Sequence, residues 1–294
     1  MLSQVEKGGV QNTIQNCVTV LQNDRVLADS IRLNLLSERI DIVKPMGWER
    51  SSRTLTDTDM MYILRRMEKY GLYSEKRIQA AIRIIANENR YHPIREYLNA
   101  LQWDGTKRIA YALHRFLGAA EDDFTAEALK LFLLGAINRI FHPGCKFEMM
   151  LCLVGGQGAG KSTFFRLLAI KDEWFSDDLR RLDDENVFRK LQGHWIMEMS
   201  EMIATANAKS IEEIKSFLSK QKETYKVPYE THPADRLRQC VFAGTTNRQD
   251  FLPRGRTGNR RFIPIPVDVG LAEVHIGRMK QNRVPTSTSF GQKL

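Results

Sequence analysis

The sequence predicts an α/β protein: a helical N-terminal region followed by a core in which a parallel sheet is flanked by helices. Three observations predict it. Between residues 54 and 141, apolar residues recur at helical spacing between capping residues and glycine stops. From Phe147 onward, short apolar runs at 148–154, 194–199, 239–245 and 261–267 alternate with helical segments, which is the pattern of a parallel sheet. Between the first of those runs and the helix after it lies Gly155-Gly156-Gln157-Gly158-Ala159-Gly160-Lys161-Ser162, which fits G-x-x-x-x-G-K-[ST], the pattern of a phosphate-binding loop.

Taken in order, residues 1–53 are mixed, with a short strand expected at Ile40-Asp41-Ile42-Val43 before the turn Pro45-Met46-Gly47-Trp48. A helix is expected after Thr56-Asp57, through Met60–Tyr70, stopping at Gly71. A second follows Ser74 as N-cap and places Ile78, Ala81, Ile82 and Ile85 on one face. Pro93 suits the first turn of a third, Ile94–Leu101. Beyond the turn Trp103-Asp104-Gly105, two more are expected near 106–117 and 125–141, and His142-Pro143-Gly144-Cys145 closes the helical half. The domain expectation is a mostly helical region over 1–145, a core over 146–268 and a polar C-terminal tail over 269–294.

Bulk properties narrow the class. A chain of 294 residues with 43% hydrophobic and 27% charged residues suits a globular protein with a sizeable core. No apolar run approaches the roughly 20 residues of a membrane span, and Met1–Lys7 lacks a signal-peptide stretch, so a cytoplasmic location is expected. Cys17, Cys145, Cys152 and Cys240 form no C-x-x-C pair and sit mostly among apolar neighbours, which fits buried reduced thiols. The six histidines lack metal-ligand spacing. The net charge of +9 points to a polyanionic partner. Its distribution is sharper: seven arginines (236, 238, 248, 254, 256, 260 and 261) face one acid, Asp250, between Arg236 and Phe262.

The loop carries the chemistry. Its glycines let backbone N–H groups of Gly156, Gln157, Gly158, Ala159 and Gly160 turn toward phosphates, and the helix starting near Lys161, Ser162 and Thr163 adds its positive dipole end. Lys161 is expected to neutralise phosphate charge and the Ser162 hydroxyl to ligate Mg²⁺. Such a fold needs a carboxylate at the end of a neighbouring strand to hold Mg²⁺ through water. Trp195-Ile196-Met197-Glu198-Met199-Ser200-Glu201 supplies two, where Asp is the usual residue. Glu198 is assigned to the metal shell and Glu201 to the attacking water, roles that could be exchanged. Both reach the same side only if the strand ends near Met199, because side chains alternate along a strand.

The run Gln239–Thr245 ends in Thr245-Thr246-Asn247, and Asn247 at a strand C-terminus suits contact with a terminal phosphate or the lytic water. Arg260 and Arg261, just before the last strand, are candidates for stabilising transition-state charge, in cis or from a neighbouring subunit. Between the acidic pair and Asn247, an amphipathic helix marked by Ile211, Ile214, Phe217 and Leu218 leads into a stretch with Lys220, Lys222, Tyr225 and Lys226. Its interleaved charge and aromatics suit single-stranded DNA, together with the arginines of 236–256; a solvent-facing hairpin is the alternative.

The ordered set of parts resembles the virulence-associated protein E family, related to superfamily-three and poxvirus-type primase-helicases of the AAA+ class. The resemblance rests on His92-Pro93-Ile94-Arg95-Glu96-Tyr97-Leu98 with Trp103-Asp104-Gly105, His142–Phe147, Val154–Thr163, Trp195–Glu201, Ile214–Leu218, Gly244–Asn247 and Thr257–Phe262. It implies an AAA+-like P-loop core and Mg²⁺-dependent ATP hydrolysis in a homo-oligomeric ring such as a hexamer. It also implies helicase-like action on single-stranded DNA during replication of a phage or genomic island in a bacterial cell. It implies Lys161 and Ser162 as phosphate and Mg²⁺ contacts, Glu198 and Glu201 as the acidic pair, Asn247 as sensor, and Arg260 or Arg261 as the arginine finger. One departure stands out: Pro253-Arg254-Gly255-Arg256 lies where members usually carry an Asp. The rival expectation is a DNA-binding or regulatory module with a vestigial nucleotide site.

Overall fold

The computed structural model describes residues 2–4, 9–179, 182, 187–200, 208–225, 234–248, 250–252 and 259–277. The chain divides into two compact units, Met1–Tyr97 and Leu98–Leu294.

The first unit holds helix α1 (Ile14–Asn23), the antiparallel pair β1 (Ile31–Asn34) and β2 (Arg39–Ile42), and helices α2 (Asp57–Glu68) and α3 (Glu75–Glu88). Helix α4 (Pro93–Asn99) begins with Pro93, whose missing N–H costs nothing there. Thr56 opens α2 with a capping box: its hydroxyl accepts from the Asp59 N–H, and the Asp59 carboxylate accepts from the Thr56 N–H. Ser74 is the N-cap of α3 by position, without a side-chain cap bond. Ile78, Ala81, Ile82 and Ile85 are buried with Cys17, Leu21, Ile63 and Met67, so the helical spacing read from the sequence is the packed face.

The second unit opens with α5 (Ile109–Leu117) and α6 (Asp123–Phe141), then strand β3 (Met150–Val154) and helix α7 (Lys161–Leu168). There follow β4 (Phe175–Ser176), α8 (Val187–Leu191), β5 (Ile196–Met199), α9 (Ala208–Ser219), the antiparallel pair β6 (Lys222–Tyr225) and β7 (Ala234–Leu237), β8 (Val241–Thr246) and β9 (Phe262–Pro266). Five strands form one parallel sheet in the order β4-β5-β8-β3-β9. The strands are almost wholly buried, as a parallel sheet covered on both faces requires. Met150, Cys152, Val154, Met197, Met199 and Phe242 pack with Ile211, Ile214, Phe217 and Leu218 of α9. By alternation, Glu198 and Thr245 point to the opposite face, toward α7.

Helix α6, grouped by its periodicity with the N-terminal region, packs with the sheet. Its buried Arg139 donates to the carbonyls of Cys240 and Phe147, each at 2.7 Å, and Trp195 Nε1 donates to the Ala136 carbonyl at 3.0 Å. Secondary structure changes near 145, but packing does not. Residues 269–277, read as the start of a polar tail, also have a place: Val274 N–H donates to the Arg115 carbonyl at 3.0 Å, and Ile276 is buried against Gly160. Among the described residues no helix is long and apolar enough to cross a membrane.

Candidate phosphate-binding site

The loop leaves the C-terminal end of β3, as expected for a ligand site in a parallel sheet. Gly158 (φ +80°) and Gly160 (φ +81°) occupy left-handed backbone that side chains disfavour, and Gly160 is the N-cap of α7. Gly155 is required by contact: a Cβ there would lie 2.3 Å from the Val267 carbonyl. The Gly155 N–H donates to the Thr246 carbonyl at 3.1 Å, tying the loop to the end of β8. Gly156, Gln157 and Ala159 complete the turn, and Lys161, Ser162 and Thr163 form the first turn of α7.

Lys161 is buried, 8% exposed, and its Nζ donates to Gly155 O (2.6 Å), Gly156 O (2.7 Å) and Asn247 Oδ1 (3.0 Å). Burial pushes its pKa down, against the pull of the Glu198 charge. All three ammonium protons are thus held by the loop and by the Asn beyond β8.

Glu198 is 0% exposed. Its Oε1 accepts from Ser162 Oγ at 2.7 Å and from Thr245 Oγ1, while Oε2 is buried without a partner among the described residues. Burial raises its pKa, and the Thr245 and Ser162 hydroxyls oppose that rise. An unpartnered buried carboxylate oxygen costs free energy. Beside a serine hydroxyl at a helix N-terminus, it supplies the hard oxygen donors that Mg²⁺ takes, so Ser162 and Glu198 fit that ion. The expected neighbour relation needs correction: β8 lies between β3 and the acidic strand β5. The longer glutamate side chain bridges that gap to Ser162.

The structure therefore brings Lys161, Ser162, Glu198 and Asn247 together. Strand β5 ends at Met199, and Glu201 lies outside the described residues. Arg260 and Arg261 are not brought to this loop. They sit in a 3-10 turn before β9, whose register pairs Met150 with Phe262 and Val154 with Pro266. Both arginines are thus at the opposite end of the strands, about 20 Å from the loop at ~3.3 Å per residue. Arg260 is exposed, whereas Arg261 Nε donates to Glu148 at 3.1 Å. Thr245 was missed as a site residue; its signal was a hydroxyl on the strand face it shares with the apolar Val241 and Ala243.

The expected DNA segment is partly corrected. Arg238 is buried, pairs with Glu223 and lies over the Phe217 ring at 4.3 Å, so it braces the hairpin and is not open to a partner. Lys222 pairs with Asp235, Arg248 Nε lies 3.5 Å from Asp250, and Lys220 Nζ lies 3.8 Å from Glu223. Arg236 is half-buried. Tyr225 ends β6, and its side chain, Lys226, Arg254 and Arg256 lie outside the described residues.

A cavity of about 770 Å³ beside α5 and α6 is lined by Trp103, Arg108, Lys130 and Leu134, among others. Arg108 there is paired with Asp104 and Lys130 with Glu127.

Residues 98–285 match the profile of the virulence-associated protein E-like domain. The chain belongs to this family. Among solved structures, this virulence-associated protein E-like chain is similar to the apo structure of NrS-1 C terminal region (305-718), at 14% identity and a TM-score of 0.54, over 97% of this chain and 67% of that one. An A form apo structure of the same region matches at 14% identity and a TM-score of 0.53, over 97% and 66%. The chain thus spans about two thirds of the length of those regions, and the likeness is one of fold. No curated protein matches the sequence.

Proposed function

We propose that this chain is a Mg²⁺-dependent ATPase that works as a helicase-like replication factor of a phage or other mobile element, acting on single-stranded DNA as a ring of subunits. One observation carries the reading: Lys161, Ser162, Glu198 and Asn247 converge at a glycine loop, with one buried glutamate oxygen left for a ligand. In this account Ser162 and Glu198 hold Mg²⁺, which neutralises charge on the β- and γ-phosphates when bound. Phosphate draws Lys161 away from Gly155, Gly156 and Asn247, and the released Asn247 amide turns to the terminal phosphate. Glu201 orients the attacking water. Arg260 or Arg261, too far from the loop of its own chain, serves the nucleotide of the next subunit. DNA contact falls to the residues between β6 and β7, Lys226 among them, because Lys222 and Arg238 are already paired with acids.

ATP hydrolysis measured with and without single-stranded DNA tests the reading. DNA-stimulated turnover that disappears in Lys161→Ala is expected; turnover surviving that change overturns it. Mixing Lys161→Ala with Arg260→Ala or Arg261→Ala subunits is expected to restore part of the activity, and no rescue at any ratio removes the shared site.

A further inference from the structure

We propose that Thr245 is a positioning residue for the metal, holding the Glu198 carboxylate so that Oε2 faces the ion; this rests on the nucleotide-site reading above. Strand β8 separates the loop strand from the acidic strand, and its register sets Ala243 beside Glu198. Thr245, two residues on and on the same face, lies diagonally beyond Glu198 toward the loop end of the sheet. It is buried, in a strand whose other inward positions Val241 and Ala243 are apolar. A hydroxyl in such a place costs free energy unless it is hydrogen-bonded. Its bond goes to Glu198 Oε1, the same oxygen that accepts from Ser162.

Two donors on one oxygen hold the carboxylate and leave Oε2 buried with no partner among the described residues. The two donors are not equivalent. Ser162 is itself expected to touch the metal, so its hydroxyl direction changes when the site fills. Thr245 has no such second duty and is the anchor that persists. A valine there keeps the branched shape of the strand residue but removes the anchor; a serine keeps the hydroxyl.

The test is equilibrium binding of a fluorescent, non-hydrolysable ATP analogue to the full chain, in EDTA and in Mg²⁺. Thr245→Val is expected to bind the metal-free analogue within about twofold of the parent and to lose about tenfold of the tightening Mg²⁺ confers, the scale of one hydrogen bond to a charged group. Thr245→Ser is expected to keep that tightening, and turnover of the valine variant to fall in kcat more than it rises in KM. Should the valine variant melt below the assay temperature, Thr245→Ala reads the same contrast. A variant lacking the hydroxyl but tightened by Mg²⁺ as the parent is, or a serine variant that fails to rescue, overturns the proposal. A parent that binds no nucleotide fails the functional reading itself, and this inference falls with it.

Discussion

Asp24 and Asp59, buried in the first unit, and Glu198, buried in the second, meet opposite fates. In the first unit Asp24 accepts from Arg66 Nε, from the Tyr70 hydroxyl at 2.6 Å and from the Val26 and Leu27 N–H groups. Asp59 accepts from Trp48 Nε1, Arg50 and Thr56. Burial alone would raise both pKa values, yet these donors bring each down to about 2. In the second unit Glu198 has two hydroxyls on one oxygen, none among the described residues on the other, and a raised pKa. The difference separates structure from function. A saturated carboxylate fastens elements together, as Asp59 fastens the α2 N-terminus to Arg50. A half-satisfied one stores a cost that a ligand can remove.

The largest expected break of this comparison is in stability. Asp24→Asn or Asp59→Asn takes the counter-charge from a half-buried arginine and breaks up a buried hydrogen-bond network, and is expected to cost about 3 kcal/mol, read as a drop in the denaturant midpoint. A loss below about 0.5 kcal/mol, the range of ordinary surface changes, would mean that these carboxylates are not anchors.

The next effect is acid sensitivity. Asp24 and Asp59 ionise more readily folded than unfolded, so the unfolded chain binds more protons as pH falls. Their contribution is complete above about pH 4 and drains away between about pH 4 and about pH 2, on the order of 2 kcal/mol each. Urea titrations across that range check it, and flat stability there counts against the assignment.

The smallest effect concerns two adjacent arginines. Arg261→Ala removes a partner of the half-buried Glu148, leaving Ser219, and is expected to cost about 1 kcal/mol. Arg260→Ala is exposed and is expected to stay within about 0.5 kcal/mol of the parent. Equal losses would place both in the same structural role.

Much of the fold was legible because it follows local rules. The run before Gly155 is β3, and the Ile78 to Ile85 spacing is the buried face of α3. The strand order was not legible, since the insertion of β8 between β3 and β5 is a long-range pairing that no local pattern encodes. For the same reason Thr245, read only as part of a polar strand end, was given no role: its meaning depends on Glu198, 47 residues away. Arg238 was misread because charge density along the sequence cannot tell a buried bracing arginine from an open one.

Glu198→Gln tests the central claim most directly, by measuring ATP turnover and melting temperature on the same preparation. The amide keeps shape and the oxygen that accepts from Ser162 and Thr245 but removes a charge whose burial is unfavourable. The account predicts turnover reduced at least about 100-fold with a melting temperature equal to the parent's or higher. Retained turnover, or a stability loss like that of Asp59→Asn, would show that Glu198 is one more structural carboxylate and contradict the account.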